Sequence, residues 1–150
     1  MSHYYTDEIN TLVLVSLLKE HNIRKIIASP GTTNISFVGS VQFDPYFEVY
    51  SAVDERAAAF MACGLAEESG EPVVLTCTGA TASRNYIPGL TEAYYRHLPV
   101  LAVTSTQHTG RVGNYVAQVI DRSEQFPDMV KKSIQLPTVY SEEDKQHTVT

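Results

Sequence analysis

Short apolar strands that alternate with helices constrain this chain more than any other feature of its sequence. The run Val73–Cys77 is the clearest case, because it is rich in apolar and β-branched residues and follows a helix-ending Gly70 and Pro72. Strands that are apolar on both faces are typical of parallel sheets covered by helices on both sides. The sequence therefore predicts an α/β fold, a three-layer sandwich with a mostly parallel central sheet flanked by helices.

Hydrophobic runs, capping residues and turn residues divide the chain into predicted elements. Strands are predicted at residues 23–28, 47–53, 73–77, 100–104 and 133–136. Helices are predicted at residues 7–21, 34–42, 54–69, 84–97 and 123–131. Side chains expected to cap helix starts are Thr6, Asn34 and Asp54, and helices are expected to end at Asn22 and Gly70.

Composition narrows the classes of function. The 150 residues fit one domain, and a net charge of −6 argues against a nucleic-acid or anionic-membrane surface. Apolar runs are too short to span a membrane, and the first residues do not resemble a signal peptide. Two cysteines do not make a disulfide framework, so a single cytoplasmic domain over residues 1–150 is expected.

The end of the sequence carries a helix-start signal. Ser141 is followed by acids at 142–144, a pattern typical of a capping box, and the chain stops soon afterwards at Thr150. We therefore expect this chain to be an N-terminal part of a longer polypeptide. The alternative is a frayed tail.

Ligands of open parallel sheets bind beyond the carboxyl ends of the strands. Four predicted loops lie there, at residues 29–34, 54–56, 78–85 and 105–114. Glu55 stands at one of these strand-to-helix junctions. The residue pattern alone leaves two interpretations open, an acid that complements the helix dipole and a carboxylate that shares a proton with a bound ring.

Common nucleotide and metal motifs are missing from the same loops. Residues 29–34 lack the lysine and spacing of a phosphate-binding loop, and residues 79–83 lack a dinucleotide GxGxxG. The five histidines and two cysteines show no metal-ligand spacing. A flavodoxin-like or nucleotide-binding protein is therefore the weakest reading of this fold class.

Several segments in chain order resemble the pyrimidine-binding (PYR) domain of thiamine-diphosphate-dependent enzymes. They are Ser29-Pro30-Gly31, Asp54-Glu55-Arg56 with the Ala-rich helix after it, Asn85-Tyr86-Ile87-Pro88-Gly89, and Gln118-Val119-Ile120-Asp121. The resemblance implies that Glu55 is the catalytic carboxylate that hydrogen-bonds the aminopyrimidine ring of thiamine diphosphate. It implies further contacts to the cofactor from Pro30, Gly31, Thr32, Thr78, Gly79, Ala80, Thr81 and Asn85. Thr33 and Gln118 are the weaker candidates for substrate contacts.

The resemblance also implies partners. In this family the diphosphate and Mg²⁺ are held by a second (PP) domain, whose Gly-Asp-Gly…Asn signature the chain lacks. A PP domain of the same or another chain would complete the site, in a homodimer or homotetramer. The dimer is expected to form through the face that carries the third and fourth predicted helices, and the isolated chain is expected to be inactive.

Two branches of the family fit in part. The Ser-Pro-Gly turn and the Gln118 segment resemble the menaquinone-pathway synthase that adds a succinyl semialdehyde unit to isochorismate (the SEPHCHC synthase). However, Thr33 and residues 105–107 stand where that synthase carries arginines. We therefore expect a lyase or transferase acting on a small 2-oxo acid, by decarboxylation or carboligation, as acetolactate synthase does. The alternative is a non-catalytic assembly or regulatory module that keeps the PYR fold.

Overall fold

The computed structural model describes residues 5–106, 109–136 and 139. The strands are β1 (Lys25–Ala28), β2 (Glu48–Ser51), β3 (Val73–Cys77) and β4 (Val100–Thr104). The α-helices are α1 (Ile9–Glu20), α2 (Ile35–Val41), α3 (Glu55–Ser69), α4 (Thr81–Arg84) and α5 (Ile87–Tyr95). Short 3₁₀ turns cover Thr32–Asn34 and Thr109–Arg111.

The strands form one parallel sheet in the order β2-β1-β3-β4. Ala28 pairs with Ser51 on one side and with Thr76 on the other, so the carboxyl ends of β1, β2 and β3 meet at one edge. The chain runs outward from β1 to β2 and then crosses back to β3. The β1–β3 boundary is therefore the switch point at which ligands bind in open α/β sheets.

Helices cover both faces of the sheet, which confirms the predicted three-layer fold. On one face, α1 and α2 enclose a core with the inward residues of the strands, including Val15, Leu18, Ile26, Phe37, Val41 and Val74. On the other, α3 and α5 pack over a core that includes Ile27, Ala58, Ala62, Val73, Leu75, Cys77 and Tyr86. Successive residues of β3 alternate between these two clusters, as the strand geometry requires.

The best-specified elements agree with the sequence. Strands β3 and β4 have the predicted bounds, and α3 begins where Asp54 accepts a hydrogen bond from the Ala57 amide at 2.7 Å. Gly70 ends α3 in the left-handed region with a φ of 66°, and Asn22 follows α1 with a φ of 57°. The strands predicted at 23–28 and 47–53 are shorter than expected, at four residues each.

The predicted helix 84–97 is wrong as one element, because α4 ends at Arg84 and α5 starts at Ile87. Pro88 explains the break, since its nitrogen cannot donate to the carbonyl of Arg84. The predicted helix 123–131 is absent, and Pro127 lies in its middle. The predicted strand 133–136 is also absent, and all of its residues are exposed. The capping box at Ser141 lies outside the described residues.

Two predicted helix caps are wrong. Thr6 accepts a hydrogen bond from the Glu8 amide at 3.2 Å, a local turn that precedes α1 without capping it. The Asn34 side chain turns back into the preceding loop, where it accepts from the Gly31 amide and donates to the Ser29 carbonyl. Among the described residues, none of the helices combines the length and hydropathy that crossing a bilayer requires.

Candidate functional site

Three loops meet at the carboxyl edge of the sheet. The loop after β1 touches the loop after β3, because a Cβ added to Gly31 would lie 2.4 Å from the Thr78 methyl carbon. The loop after β3 touches the end of β4, because a Cβ on Gly79 would lie 2.7 Å from the Ser105 carbonyl oxygen. Both positions therefore need glycine for close approach, and the predicted cofactor residues Gly31, Thr78 and Gly79 share one region.

The turn after β1 is held in shape by its own polar groups. The Ser29 amide donates to the Thr76 carbonyl at 2.8 Å, and Asn34 clamps both ends of the turn. A groove of about 400 Å³ opens beside it, lined by Pro30, Gly31, Thr32, Ile35, Val38, Gly39 and Gln42. Three predicted cofactor residues line this groove, whereas Glu55 does not.

The turn after β3 stores backbone strain. Ala80 is buried and adopts φ 57° and ψ −127°, a conformation that residues with a Cβ rarely occupy. The Ser83 hydroxyl donates to the Ala80 carbonyl at 2.7 Å, and Asn85 donates to the Thr81 carbonyl at 3.2 Å. Strain of this kind, at about 1–3 kcal/mol, persists where the surroundings fix it and clusters at ligand sites.

Glu55 is the first residue of α3 and is partly buried at this edge. Its carboxylate makes no hydrogen bond or ion pair with the part of the chain that the structure describes. Its negative charge nevertheless affects two buried groups, because it contributes to raising the pKa values of Cys77 and Tyr86. The carboxylate oxygens of Glu55 are therefore available to accept hydrogen bonds from a ligand, next to the buried residues Cys77 and Tyr86.

Buried polar side chains lie beneath the loops. Burial, aided by Glu55, raises the pKa of the Cys77 thiol to about 11 and raises the pKa of Tyr86 far above its usual range. The hydroxyls of Ser29, Thr76 and Tyr86 find no hydrogen-bond partner of ordinary geometry among the described residues. An unsatisfied buried hydroxyl costs stability, so this cluster is a candidate for a functional role.

Arg122 enters the same edge from the irregular segment after residue 118, and it was not among the sequence-predicted residues. Its guanidinium donates to the Thr104 hydroxyl at 2.6 Å and to the Ser105 carbonyl at 3.2 Å. Thr33, a predicted substrate residue, shares a hydrogen bond of 2.9 Å with the Ser105 hydroxyl. We call these four residues, Thr33, Thr104, Ser105 and Arg122, the Arg122 cluster.

Gln118 has apolar neighbours in the sequence, and a buried structural amide would be the ordinary interpretation of such a context. The structure instead shows Gln118 exposed, with a φ of 63°. Tyr115 nearby is fully exposed as well. A substrate contact from Gln118 stays a prediction, as do the cofactor contacts of Thr81 and Asn85.

The described residues contain no group of three or more histidine, cysteine, aspartate or glutamate side chains that could hold a metal ion. Both cysteines are free and buried. The chemistry available at the edge is therefore one unpaired carboxylate, several hydroxyls, closely packed backbone and a guanidinium.

Comparison with known proteins identifies the family. The family description "Thiamine pyrophosphate enzyme, N-terminal TPP binding domain" matches residues 11–125. Thiamine pyrophosphate is another name for thiamine diphosphate. The match extends over α1 to β4 and reaches Arg122.

Curated relatives agree with this match. The 2-succinyl-5-enolpyruvyl-6-hydroxy-3-cyclohexene-1-carboxylate synthase of Bacteroides thetaiotaomicron is 36% identical over 141 residues, 94% of this chain and 25% of the relative. The synthase of the same name from Porphyromonas gingivalis is 39% identical over 131 residues, 87% of this chain and 23% of the relative. The chain thus spans about a quarter of the length of these relatives.

Solved structures share the fold. The thiamine diphosphate-dependent 4-hydroxybenzoylformate decarboxylase of Rhodococcus jostii superposes with a TM-score of 0.67 at 23% identity, covering 75% of this chain and 21% of that one. The benzoylformate decarboxylase of Polynucleobacter necessarius gives 0.65 at 19% identity, covering 76% and 21%. The chain therefore belongs to the thiamine pyrophosphate enzyme family, as an N-terminal TPP-binding domain.

Proposed function

We propose that this domain forms the aminopyrimidine half-site of a thiamine-diphosphate-dependent lyase or transferase, with Glu55 as its catalytic carboxylate. The observation that carries this proposal is the partly buried Glu55 carboxylate, which has no described partner at the carboxyl edge of the sheet. A carboxylate without an internal partner is free to exchange a proton with a ring nitrogen.

The surrounding residues fit such a ring. Gly31 packs against Thr78 and Gly79 packs against the Ser105 carbonyl, in both places without room for a Cβ, and the strained, buried Ala80 follows Gly79 directly. Pro30, Gly31, Thr32 and the segment 78–81 would hold the aminopyrimidine, and Asn85 would steady that segment through α4. The buried Ser29 and Tyr86 hydroxyls, which lack a hydrogen bond of ordinary geometry with the described residues, offer further polar contacts to the ring.

When bound, thiamine diphosphate supplies an electron sink for breaking or making a bond next to a carbonyl carbon. This chain contributes proton control and positioning. Glu55 would hold a proton at its carboxylate oxygen, and the apolar start of α3, which includes Ala58 and Ala59, would exclude water from its inner side.

The substrate class that we propose is a small 2-oxo acid, joined to an acceptor or decarboxylated. The curated relatives are synthases whose product is named as a succinyl-bearing carboxylate, which supports carboligation with an acidic substrate. Acetolactate-synthase-like carboligation remains the competing specificity. Product analysis with pyruvate and with 2-oxoglutarate separates the two, because only the second leaves a four-carbon acid unit after decarboxylation.

We propose that a PP domain, from the same or another chain, holds the diphosphate and Mg²⁺. The outer face of α3 supports a docking role, because Ala57, Phe60, Met61 and Gly64 form an exposed, mostly apolar stripe. Phe60 is 47% exposed and Met61 45% exposed, beside the ion pair of Arg96 with Glu67. We propose that this stripe is covered in a homodimer or homotetramer. The isolated chain would lack the rest of the site and would therefore be inactive. The reduced, buried cysteines support a cytoplasmic location.

Calorimetric titration of thiamine diphosphate and Mg²⁺ tests this proposal, with the chain combined with a PP domain. Glu55→Gln should weaken binding, because the neutral amide cannot share the same proton with the ring. Glu68→Gln, an exposed change on the same helix, is the matched control and should bind like the wild type. Absence of binding by a folded wild-type assembly would leave the alternative, a non-catalytic assembly module on this fold.

A further inference from the structure

The Arg122 cluster has a charge that the described residues do not balance. The Arg122 guanidinium is partly buried, and no carboxylate of the described residues forms an ion pair with it. Its charged neighbour is instead Arg84, which together with burial lowers the pKa of Arg122. Holding a cation out of water beside another cation is costly unless an anion joins them.

The nearest acid in sequence is already engaged elsewhere. Asp121 accepts from the Ser123 amide at 2.9 Å and from the Ser123 hydroxyl at 2.7 Å, so its carboxylate caps a local turn. Arg84 donates to the Asp121 backbone carbonyl at 3.2 Å. Both arginines thus hydrogen-bond neutral oxygens; the Asp121 carboxylate interacts electrostatically with Arg84, whereas no carboxylate of the described residues pairs with Arg122.

The guanidinium also keeps unused donors. The two described hydrogen bonds, to Thr104 and Ser105, occupy only part of its fork of N–H groups. The hydroxyls of Thr33 and Ser105 pair with each other at 2.9 Å, and the Ser105 hydroxyl also donates to the Cys77 carbonyl at 3.4 Å. A planar anion placed here would meet the remaining donors of the guanidinium fork, the arrangement that binds a carboxylate well.

The position of the cluster connects it to the proposed cofactor site. Nη2 of Arg122 lies 3.4 Å from the point that a Cβ on Gly79 would occupy, so the cation borders the loop after β3. Val119 and Met129 are buried on either side of Arg122 in the chain and anchor the segment that carries it. The cation is therefore held at the edge by the fold.

We propose that Arg122, supported by Arg84, binds the distal carboxylate of the substrate and so selects 2-oxo acids that carry a second carboxylate. This inference rests on the proposed function for the catalytic reaction, whereas the anion site itself does not. It names a specificity-determining residue that neither sequence motifs nor the family description assigns.

The test compares wild type, Arg122→Gln and Arg122→Lys, with Lys132→Gln as a control for losing an exposed positive charge in the same segment. The assembled enzyme is assayed with 2-oxoglutarate and with 2-oxohexanoate, which replaces the distal carboxylate by an ethyl group. Loss of a charged hydrogen bond should lower kcat/KM for 2-oxoglutarate about 10- to 100-fold through KM in Arg122→Gln, with little change for 2-oxohexanoate. Arg122→Lys should recover part of the loss, because it keeps the charge but not the fork.

Titration of succinate, which cannot turn over, gives a second readout. Wild type and Lys132→Gln should bind it, and Arg122→Gln should bind it at least about 10-fold more weakly. An unchanged preference for 2-oxoglutarate in Arg122→Gln, or equal use of both acids by wild type, would overturn the proposal. Failure to bind thiamine diphosphate, with Arg122-dependent succinate binding intact, would remove the proposed function and leave the anion site. Circular dichroism confirms that each variant is folded.

Discussion

The two ends of the carboxyl edge differ in how their charge is held. At one end, Glu55 begins α3 among alanines and acts on the buried Cys77 and Tyr86 without a described polar partner. At the other, Arg122 is tied by hydrogen bonds to Thr104 and Ser105. Glu55 is therefore suited to transferring a proton to and from a ligand. Arg122 is suited to holding a ligand group in a fixed position.

The pKa of the Cys77 thiol responds to the charges at both ends of the edge, Glu55 and Arg122. Burial raises its pKa to about 11, Tyr86 lowers it through a hydrogen-bonding contact, Glu55 raises it and Arg122 lowers it. The contrast between the ends can therefore be probed by stability and titration as well as by activity.

The largest stability effect should appear at alkaline pH. A thiol whose folded pKa is raised from 9.0 to about 11 stabilises the fold below pH 9 and loses that contribution as the pH rises to 11. Two pKa units correspond to about 2 to 3 kcal/mol. Urea unfolding from pH 7 to 11 measures this loss.

Variants separate the sources of the alkaline loss. In Cys77→Ala, the fall in unfolding free energy between pH 9 and 11 should be smaller than in wild type, and the remainder should come from Cys63 and Tyr86, whose pKa values burial also raises. Glu55→Gln should lower the pKa of Cys77 and Arg122→Gln should raise it, as read from its ¹³Cβ shift. Identical slopes for wild type and Cys77→Ala between pH 9 and 10 would show that the thiol does not contribute.

The second effect tests what supports the Glu55 end. A Cβ on Gly89 of α5 would lie 2.4 Å from the Ala59 Cβ and 3.0 Å from the Ala59 carbonyl carbon of α3. Gly89→Ala should therefore cost about 2 kcal/mol of unfolding free energy. Gly64→Ala, on the exposed face of α3, meets nothing within 4 Å and should gain about 0.5 to 1 kcal/mol. Equal denaturation midpoints for the two variants would contradict this packing.

The smallest effect concerns the Arg122 end. Thr33→Val keeps the side-chain shape and removes the hydrogen bond to Ser105, which should cost about 1 kcal/mol. Cofactor binding should not change, because the Glu55 end is untouched. A Thr33→Val variant with weakened thiamine diphosphate binding would show that the two ends are not separate. Thermal unfolding and calorimetry check the two expectations.

Sequence patterns predicted the central elements because local and tertiary signals coincide there. Strand β3 is apolar on both faces, and α3 has an Asp54 cap and a Gly70 stop, so its bounds follow from side-chain chemistry. Glu55 was predicted as a site residue because its place in an ordered set of motifs resembles that of a family residue, and its catalytic role stays a prediction.

The later segment was harder to predict because local hydrogen bonds replace helix formation there. Asp121 binds Ser123, and Gln125 donates to the Arg122 carbonyl at 2.8 Å, which offers the backbone an alternative to a helix. Pro127 removes a further donor. Arg122 was not predicted as a site residue for a different reason: its contacts to Thr104 and Ser105 are tertiary, and no spacing in the sequence reveals them.

The proposed role of Glu55 is to control the proton chemistry of thiamine diphosphate. Hydrogen–deuterium exchange at C2 of the cofactor tests it directly, followed by NMR in the assembly of this chain with a PP domain and Mg²⁺. Wild type and Glu68→Gln should exchange fast, and Glu55→Gln should exchange at least about 100-fold more slowly with the cofactor still bound at saturating concentration. Exchange as fast in Glu55→Gln as in wild type, with the cofactor bound in both, would contradict this role of Glu55.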